Sequence, residues 1–420
     1  MSEFACSVVI PSRNRADRLD LLLGALASQV TDEALEIIVV LDGCEDSSRD
    51  VLLAWEKMDA FASLRWHEQS RKGPASARNT GAFMARGPIL LFVDDDVIPD
   101  PDLVSVHLGH HASGDRIAVL GDYDLIRSRP RSICELEIWS WWEDTFQLRS
   151  ASGQPASYRD FCTGNVSLRR EDFARVGGFD QDFARPNRED YELGYRLLRS
   201  GVRFVVDRSA HARHIRDVTV RSILEGARVE ARGDVMIAQK HPELITGLAL
   251  MGIGDRRRRA AALAMFVPRM GAVVCFAMRG LLWLDERLRL RRRWRSHFGF
   301  LWTYAYWRGL RDSVGSLKAL RELRATAPPS MTQRIDVSRP LTAQVRRLHI
   351  DVQSRLLVVY GEELIGSIDL VPNNPEATFP WIVREISSQL SASFLLLVAR
   401  TALENESGDA ALGVRSIETG

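Results

Sequence analysis

Residues 6–11, CSVVIP, are apolar almost without a break until a proline, and LEIIVVLDG (35–43) repeats that pattern and ends in Asp-Gly. Short continuous apolar runs of this kind predict buried strands. Between them, ADRLDLLLGALASQV (16–30) carries its leucines at helical spacing. SSRDVLLAWEKM (47–58) predicts a second helix with serine available as a cap, and SLRWHE (63–68) a short strand. GPASARNTGAFMARG (73–87) predicts a helix bracketed by glycines, and PILLFVDDD the next strand. Further on, NREDYELGYRLLRSG (187–201) is an amphipathic helix with acids in its first turn, where the helix dipole favours them, and VRFVVD (202–207) is another strand. Strands separated by helices predict an α/β domain over residues 1–216, with a mostly parallel sheet and helices on both faces.

The pattern changes after that. Residues 217–327 read as helical and basic: RRRR (256–259) precedes an apolar stretch from 260 to 284, and RLRLRRRWR (287–295) follows it. Pro268, Arg269 and Arg279 interrupt the stretch, so it lacks the run of roughly 18 apolar residues expected of a spanning helix. Two readings fit. An amphipathic helix pair could lie on an anionic membrane surface with its arginines against the headgroups, or a helical subdomain could pack on the first domain. RATAPPSMTQR (324–334) reads as a linker. Residues 335–400 read as a small β-rich module with a turn at Gly361 and one helix at 380–392, and 401–420 as a disordered tail.

Bulk numbers narrow the picture only slightly. The chain has 420 residues and a formal net charge of +1, so no whole-protein field points to nucleic acid. Five cysteines, at 6, 44, 134, 162 and 275, show no metal-binding spacing and read as free thiols of a reducing compartment. The N-terminus has no basic region ahead of its apolar run, so no secretory signal is expected and the site is placed in the cytoplasm.

The chemistry concentrates where the strands end. Ligands of open α/β sheets bind outside the carboxyl ends of the strands, and Pro11 to Arg15, Asp42 and the run Asp94-Asp95-Asp96 all fall there. In an extended segment Asp94 and Asp96 would point to one side and Asp95 to the other. Two carboxylates on one side could hold Mg²⁺ or Mn²⁺; the other reading is a solvated turn. Arg13, Arg71, Lys72, Arg78 and Asn79 lie near the same edge, and basic side chains there suit a phosphate-bearing ligand. No Walker loop is present, and no GxGxxG follows the first strand.

Five stretches together, in order and covering roughly residues 5–215, resemble family 2 glycosyltransferases: SVVIPSRNRADRL, IIVVLDGCEDSS, RKGPASARNTGAFMARGPILLFVDDDVIPDPDLV, TGNVSLRREDFARVGGFD and REDYELGYRLLRSG. The resemblance implies a GT-A fold, a Rossmann-like sheet flanked by helices. It implies a nucleotide-diphosphate sugar donor held by Pro11, Ser12, Arg13, Asp42, Arg71, Arg78, Asn79, Asp94 and Asp95. The sequence has LDGCEDSS where many members have VDDGSTD, so one acid beside Asp42 is missing and base recognition is less defined. The aspartate run resembles the family's DXD motif, which implies a divalent metal on Asp96 and Asp94, completed by His214 or its neighbour His211. Asp190, with Glu189, resembles the acceptor-side acid pair and is implied as general base of an inverting displacement. Gly164 and Asn165 would close the acceptor pocket, and Trp141 and Trp142 could stack on a sugar or belong to a flap or the core. The acceptor would be a glycan or a lipid-linked glycan, in surface-polysaccharide or glycoconjugate assembly. A sugar-nucleotide nucleotidyltransferase, or a non-catalytic sugar- or membrane-binding protein on the same fold, remains the alternative.

Overall fold

The computed structural model describes residues 3–125, 132–149, 156–183, 187–215, 218–251, 255–327, 331–341, 344, 348 and 354–370. The chain divides into two compact units, with the break after Ala327.

The first unit opens with β1 (Cys6–Ser12), α1 (Ala16–Ala27), β2 (Leu35–Asp42), α2 (Ser48–Met58), β3 (Ser63–Gln69), α3 (Pro74–Met84) and β4 (Ile89–Val93), close to the predicted series. Then follow β5 (Val97–Pro99), α4 (Leu103–His111), β6 (Ile117–Leu125), α5 (Ile133–Arg149), β7 (Asn165–Arg169), α6 (Arg170–Arg175), α7 (Glu189–Arg199) and β8 (Arg203–His214). The strands form one sheet in the order β3-β2-β1-β4-β7-β6-β8-β5. β7 runs antiparallel to both neighbours and β5 antiparallel to β8, while the others share one direction. This is the mostly parallel, helix-flanked α/β sheet that the sequence and the GT-A resemblance predict.

Alternation sorts the two faces. Val8, Ile10, Ile37, Val39 and Leu91 are fully buried and meet Leu19, Leu22, Leu23 and Leu26 of α1, Leu52 of α2 and Leu103 of α4. The α1 leucines recur every three or four residues, so they form one stripe. On the opposite face Val9 meets α3, and Phe92 packs on Phe173 and Phe179 with ring centroids 5.4 and 5.5 Å away. The approach of α3 is close: a Cβ at Gly81 would stand 2.5 Å from Val9 Cγ1.

The described residues between 218 and 327 are mainly helical, as predicted. They form α8 (Val220–Lys240), α9 (Asp255–Phe266), α10 (Pro268–Arg287), α11 (Arg291–Val314) and α12 (Leu317–Ala325). Among the described residues no helix is long and apolar enough to cross a membrane. The second unit holds β9 (Met331–Asp336), β10 (Ser354–Tyr360) and β11 (Glu363–Leu370), with β10 parallel to β9 and antiparallel to β11. Gly361, at φ +64°, makes the predicted turn of that hairpin. The predicted linker 324–334 instead contains the end of α12 and the start of β9. Its apolar Met331 pairs in register with Ser354, and long-range pairing is invisible to local composition. The predicted helix at 380–392 and the tail after 401 lie outside the described residues.

Gly81→Ala should lower the chemical-denaturation midpoint. The favourable helix propensity of alanine is about 1 kcal/mol, and the overpacking against β1 about 1–3 kcal/mol. An unchanged or raised midpoint would show that α3 sits farther from the sheet.

Candidate functional site at the carboxyl edge of the sheet

β1, β2 and β4 end side by side, and a turn follows β4, closed by the Val97 N–H donating to the Asp94 carbonyl (3.0 Å). The aspartate run is therefore not extended, and the two-sided alternation expected of it does not occur. Asp95 and Asp96 share Arg15, whose Nη1 lies 2.6 Å from Asp95 Oδ1 and 2.8 Å from Asp96 Oδ2. Asp94 turns the other way, to Arg78 Nη2 at 2.6 Å.

Asp95 is the most internal of the three. It accepts the Ser12 hydroxyl (2.9 Å) and faces the Arg13 N–H (3.4 Å), and it ties the end of β1 to the turn. Burial, with the Asp96 charge adding to it against Arg15, pushes its carboxyl up to about 6. In Asp96 burial also pushes upward, but the hydrogen bond and charge of His214, then Arg15 and Arg18, outweigh it and hold the group below the usual carboxylate range.

β5 explains how a residue so distant in sequence reaches Asp96. It pairs with the far end of β8, Val97 opposite His214, and the Ile215 N–H donates to the Asp96 carbonyl (2.7 Å). His214 Nε2 then lies 3.3 Å from Asp96 Oδ1, while its Nδ1 is buried without a hydrogen-bond partner. His211 faces away, with Nδ1 2.8 Å from Asp100 Oδ2. Among the described residues no group of three or more His, Cys, Asp or Glu could hold a metal unaided. Asp96 and His214 nevertheless offer one oxygen and one nitrogen at a common point. That fits an Mg²⁺ or Mn²⁺ ion whose remaining ligands are water and phosphate oxygens.

Asp42 is buried, with its carboxylate filled from within: Gln69 Nε2 and the Lys72 N–H reach Oδ1 (2.8 and 2.7 Å), and the Gly73 N–H reaches Oδ2 (2.8 Å). It fixes the loop that presents the exposed Arg71. Pro11 is half-buried and Arg13 exposed at the end of β1. Asn79 exchanges two hydrogen bonds of 2.8 Å with the backbone of Phe179.

Arg78 is the centre of the site. It is 4% exposed and reaches Asp94 on one side and Glu189 Oε1 (3.1 Å) on the other. Burial alone would weaken its charge, but Asp94, Glu189 and Asp190 hold it protonated. Glu189 also accepts the Asn187 N–H (2.7 Å), so both of its oxygens are engaged. Asp190 differs: it accepts the Tyr191 N–H (2.8 Å), and no cation is hydrogen-bonded to it among the described residues. Burial and the adjacent Glu189 charge push its carboxyl up to about 7.

The residue before this pair is held from the helical region. Arg188, at φ +75°, pairs through Nε with Asp234 Oδ1 (2.7 Å) and through Nη2 with Glu230 Oε1 (2.5 Å). Tyr306 donates to the other Asp234 oxygen (2.6 Å). α8 comes this close only through Gly233, where a Cβ would stand 2.6 Å from Arg188 Cγ.

On the acceptor side, the Gly164 carbonyl faces the Asp94 N–H (3.4 Å). Asn165 is buried, with Nδ2 on the Asp122 and Ala210 carbonyls and Oδ1 on His107, so its side chain serves the sheet. Trp142 donates to the Tyr123 carbonyl (2.9 Å), and its ring, with that of Tyr123, lies against His214 at 5.5 and 5.4 Å. Trp141 is 57% exposed beside it. Arg18, Tyr123 and Arg188 were not singled out from sequence, and Arg15 entered only as the end of the stretch 11–15. Arg15 and Arg188 had a visible signal, since one closes the loop after β1 and the other precedes the acid pair directly.

Residues 7–177 match the model of glycosyl transferase family 2, and residues 146–218 that of the N-terminal domain of galactosyltransferase. Validoxylamine A glucosyltransferase of Streptomyces hygroscopicus subsp. jinggangensis is 37% identical over 227 residues, covering 49% of this chain and 54% of that protein. Pre-mycofactocin glycosyltransferase of Mycobacterium tuberculosis is 28% identical over 274 residues, 62% of this chain and 55% of that one. The chain thus spans about half the length of the curated relatives it matches. Among solved structures, the mannosyltransferase PcManGT of Pyrobaculum calidifontis, in complex with GDP-Man and Mn²⁺, aligns over 73% of this chain and 87% of its own, with 20% identity and a TM-score of 0.48. Residues 7–177 thus match glycosyltransferase family 2, and the relatives that cover this part of the chain are named glycosyltransferases.

Proposed function

We propose that the protein is an inverting glycosyltransferase that moves a sugar from a nucleotide-diphosphate donor to an acceptor hydroxyl. The observation that carries this reading is the line Asp96–Arg15–Asp95 and Asp94–Arg78–Glu189, which runs from the phosphate-suited end of β4 to Asp190. The donor diphosphate lies at the ends of β1 and β4, within reach of Arg13 and Arg71. Mg²⁺ or Mn²⁺ held by Asp96 and His214 would neutralise charge on the departing nucleoside diphosphate.

Asp190 acts as the base. The acceptor oxygen bonds to the anomeric carbon as the bond from that carbon to the phosphate oxygen breaks on the opposite face. The hydroxyl proton passes to the Asp190 carboxylate. A carboxylate that titrates near 7 is a stronger base than an ordinary one and is still ionised in good part at neutral pH. Glu189, saturated by Arg78 and the Asn187 N–H, keeps Asp190 raised by its charge. Surface-polysaccharide or glycoconjugate assembly is the proposed setting. The exposed apolar stripe of α10, Met270, Val273, Phe276 and Trp283, supports attachment to a membrane surface.

Asp190→Asn should keep the fold and lose at least about a hundredfold in transfer rate. In the unmodified protein the rate should rise with pH, pass half its maximum near 7 and level off roughly one unit higher, since the base must be deprotonated and its carboxyl is raised to about 7. A flat profile between pH 5 and 8, or an Asn variant of full activity, removes Asp190 from the role.

Mn²⁺ should raise the melting temperature only when a nucleoside diphosphate is present, and His214→Ala should abolish that increment. An increment retained in the variant would place the ion elsewhere.

Asp234→Asn should weaken the Arg188 clamp. The expected signature is a reduced kcat with KM for the donor little changed, and a shifted pH profile. A loss confined to melting temperature would mean that the clamp serves stability alone.

A further inference from the structure

A cleft of about 810 Å³ opens between α8, α10 and α11 and involves none of the residues discussed at the sheet edge. Its floor includes Leu282, Trp294 and Leu301, all buried, and Phe276 and Trp283 stand exposed at its rim, 81% and 63% respectively. Among its walls are Arg228, Arg279 and Arg308. Arg228 pairs with Asp312 (3.1 Å), but its Nε is buried without a hydrogen-bond partner. Arg279 and Arg308 lie near Cys275 and have no ion pair among the described residues. Two acids also line the cleft, Glu225 paired with Arg221 (3.2 Å) and Glu286 accepting the Ile133 N–H (2.6 Å), against the four arginines 221, 228, 279 and 308.

The surroundings share this chemistry. From 259 to 295 the exposed charged side chains, among the described residues, are arginines at 259, 269, 279, 287, 289, 292, 293 and 295, with no exposed acid; of these, Arg293 and Arg295 pair with Asp285 (3.3 Å) and Glu137 (2.6 Å). The same surface carries Met270, Val273 and Leu288 in the open. A hydrocarbon floor, an aromatic rim and uncompensated arginines suit one kind of ligand, an amphiphile with an anionic head. A free anion would leave the floor in water, and a neutral lipid would leave the arginines unpaired.

We propose that the cleft between α8, α10 and α11 is an anionic-lipid site, which takes a lipid phosphate between Arg228, Arg279 and Arg308 and its acyl chain over Leu282, Trp294 and Leu301. This deepens, and rests on, the membrane-facing reading of α10. Membrane attachment would then depend on headgroup charge as well as on apolar area.

Trp283 and Trp294 line the cleft, so occupancy is readable in tryptophan fluorescence of the full chain. Dihexanoyl-phosphatidylglycerol below its micelle concentration should give a saturable change, and dihexanoyl-phosphatidylcholine and inorganic phosphate should not. Arg279→Ala with Arg308→Ala should weaken the response on the order of tenfold or more. Both side chains are exposed, and an unchanged melting temperature verifies the fold. An equal response to phosphatidylcholine or to inorganic phosphate, no response to phosphatidylglycerol, or full binding by the double variant would each overturn the site. Val273→Asp, on the stripe outside the cleft, tests attachment separately by co-sedimentation with phosphatidylglycerol vesicles. Sedimentation that this variant abolishes, with no fluorescence response to the short-chain lipid, would overturn the cleft and leave the stripe standing.

Discussion

The site exists because one buried arginine separates two groups of acids. Asp94, Asp95 and Asp96 follow an apolar strand, and Glu189 and Asp190 begin a helix brought against its end. Without compensation these carboxylates would repel in a poorly solvated corner. Arg78 reaches Asp94 and Glu189 at once, and Arg15 spans Asp95 and Asp96. Their planar guanidinium forks let one side chain satisfy two partners, which a lysine ammonium would do less specifically. Removal of either partner of such a buried pair leaves an uncompensated charge, so the network can change only as a whole.

That compensation is deliberately uneven in its effect. Asp96 is held below the usual carboxylate range by His214, Arg15 and Arg18, whereas Asp190 and Asp95 are pushed upward. Neighbouring carboxylates thereby acquire different proton affinities from different surroundings, the ordinary way in which acids of one type are given separate tasks. The arrangement reaches beyond the sheet. Arg188, in a left-handed conformation uncommon for a residue with a side chain, is locked by Asp234, Glu230 and, through Asp234, Tyr306. The helices after 217 therefore form part of the support for the acid pair and are more than an appendage to it.

Much of the first half was legible in the chain. Buried strands of the parallel part announce themselves as unbroken apolar runs, and β1, β2 and β4 lie where those runs lie. Less was legible after residue 97. β5 has only three residues, β7 (NVSLR) lacks the unbroken apolar run of the equally short β4, and β8 continues to His214 well beyond the apolar part read as a strand. A turn at 94–97 was one of the two readings open in the sequence, and the structure adopts it. An extended reading gave Asp94 and Asp96 one face, while the backbone hydrogen bond from Val97 to Asp94 regroups Asp95 with Asp96.

The sequence by itself determined the layer order, the edge where chemistry collects and the residue types available there, because burial and periodicity are local properties of the chain. Tertiary structure decided which acid keeps a free edge, which histidine faces Asp96, and that Asn165 is spent within the sheet. Those outcomes depend on partners from 16 to 118 positions away, such as Arg78 for Asp94 and His214 for Asp96, and no local pattern encodes such distances.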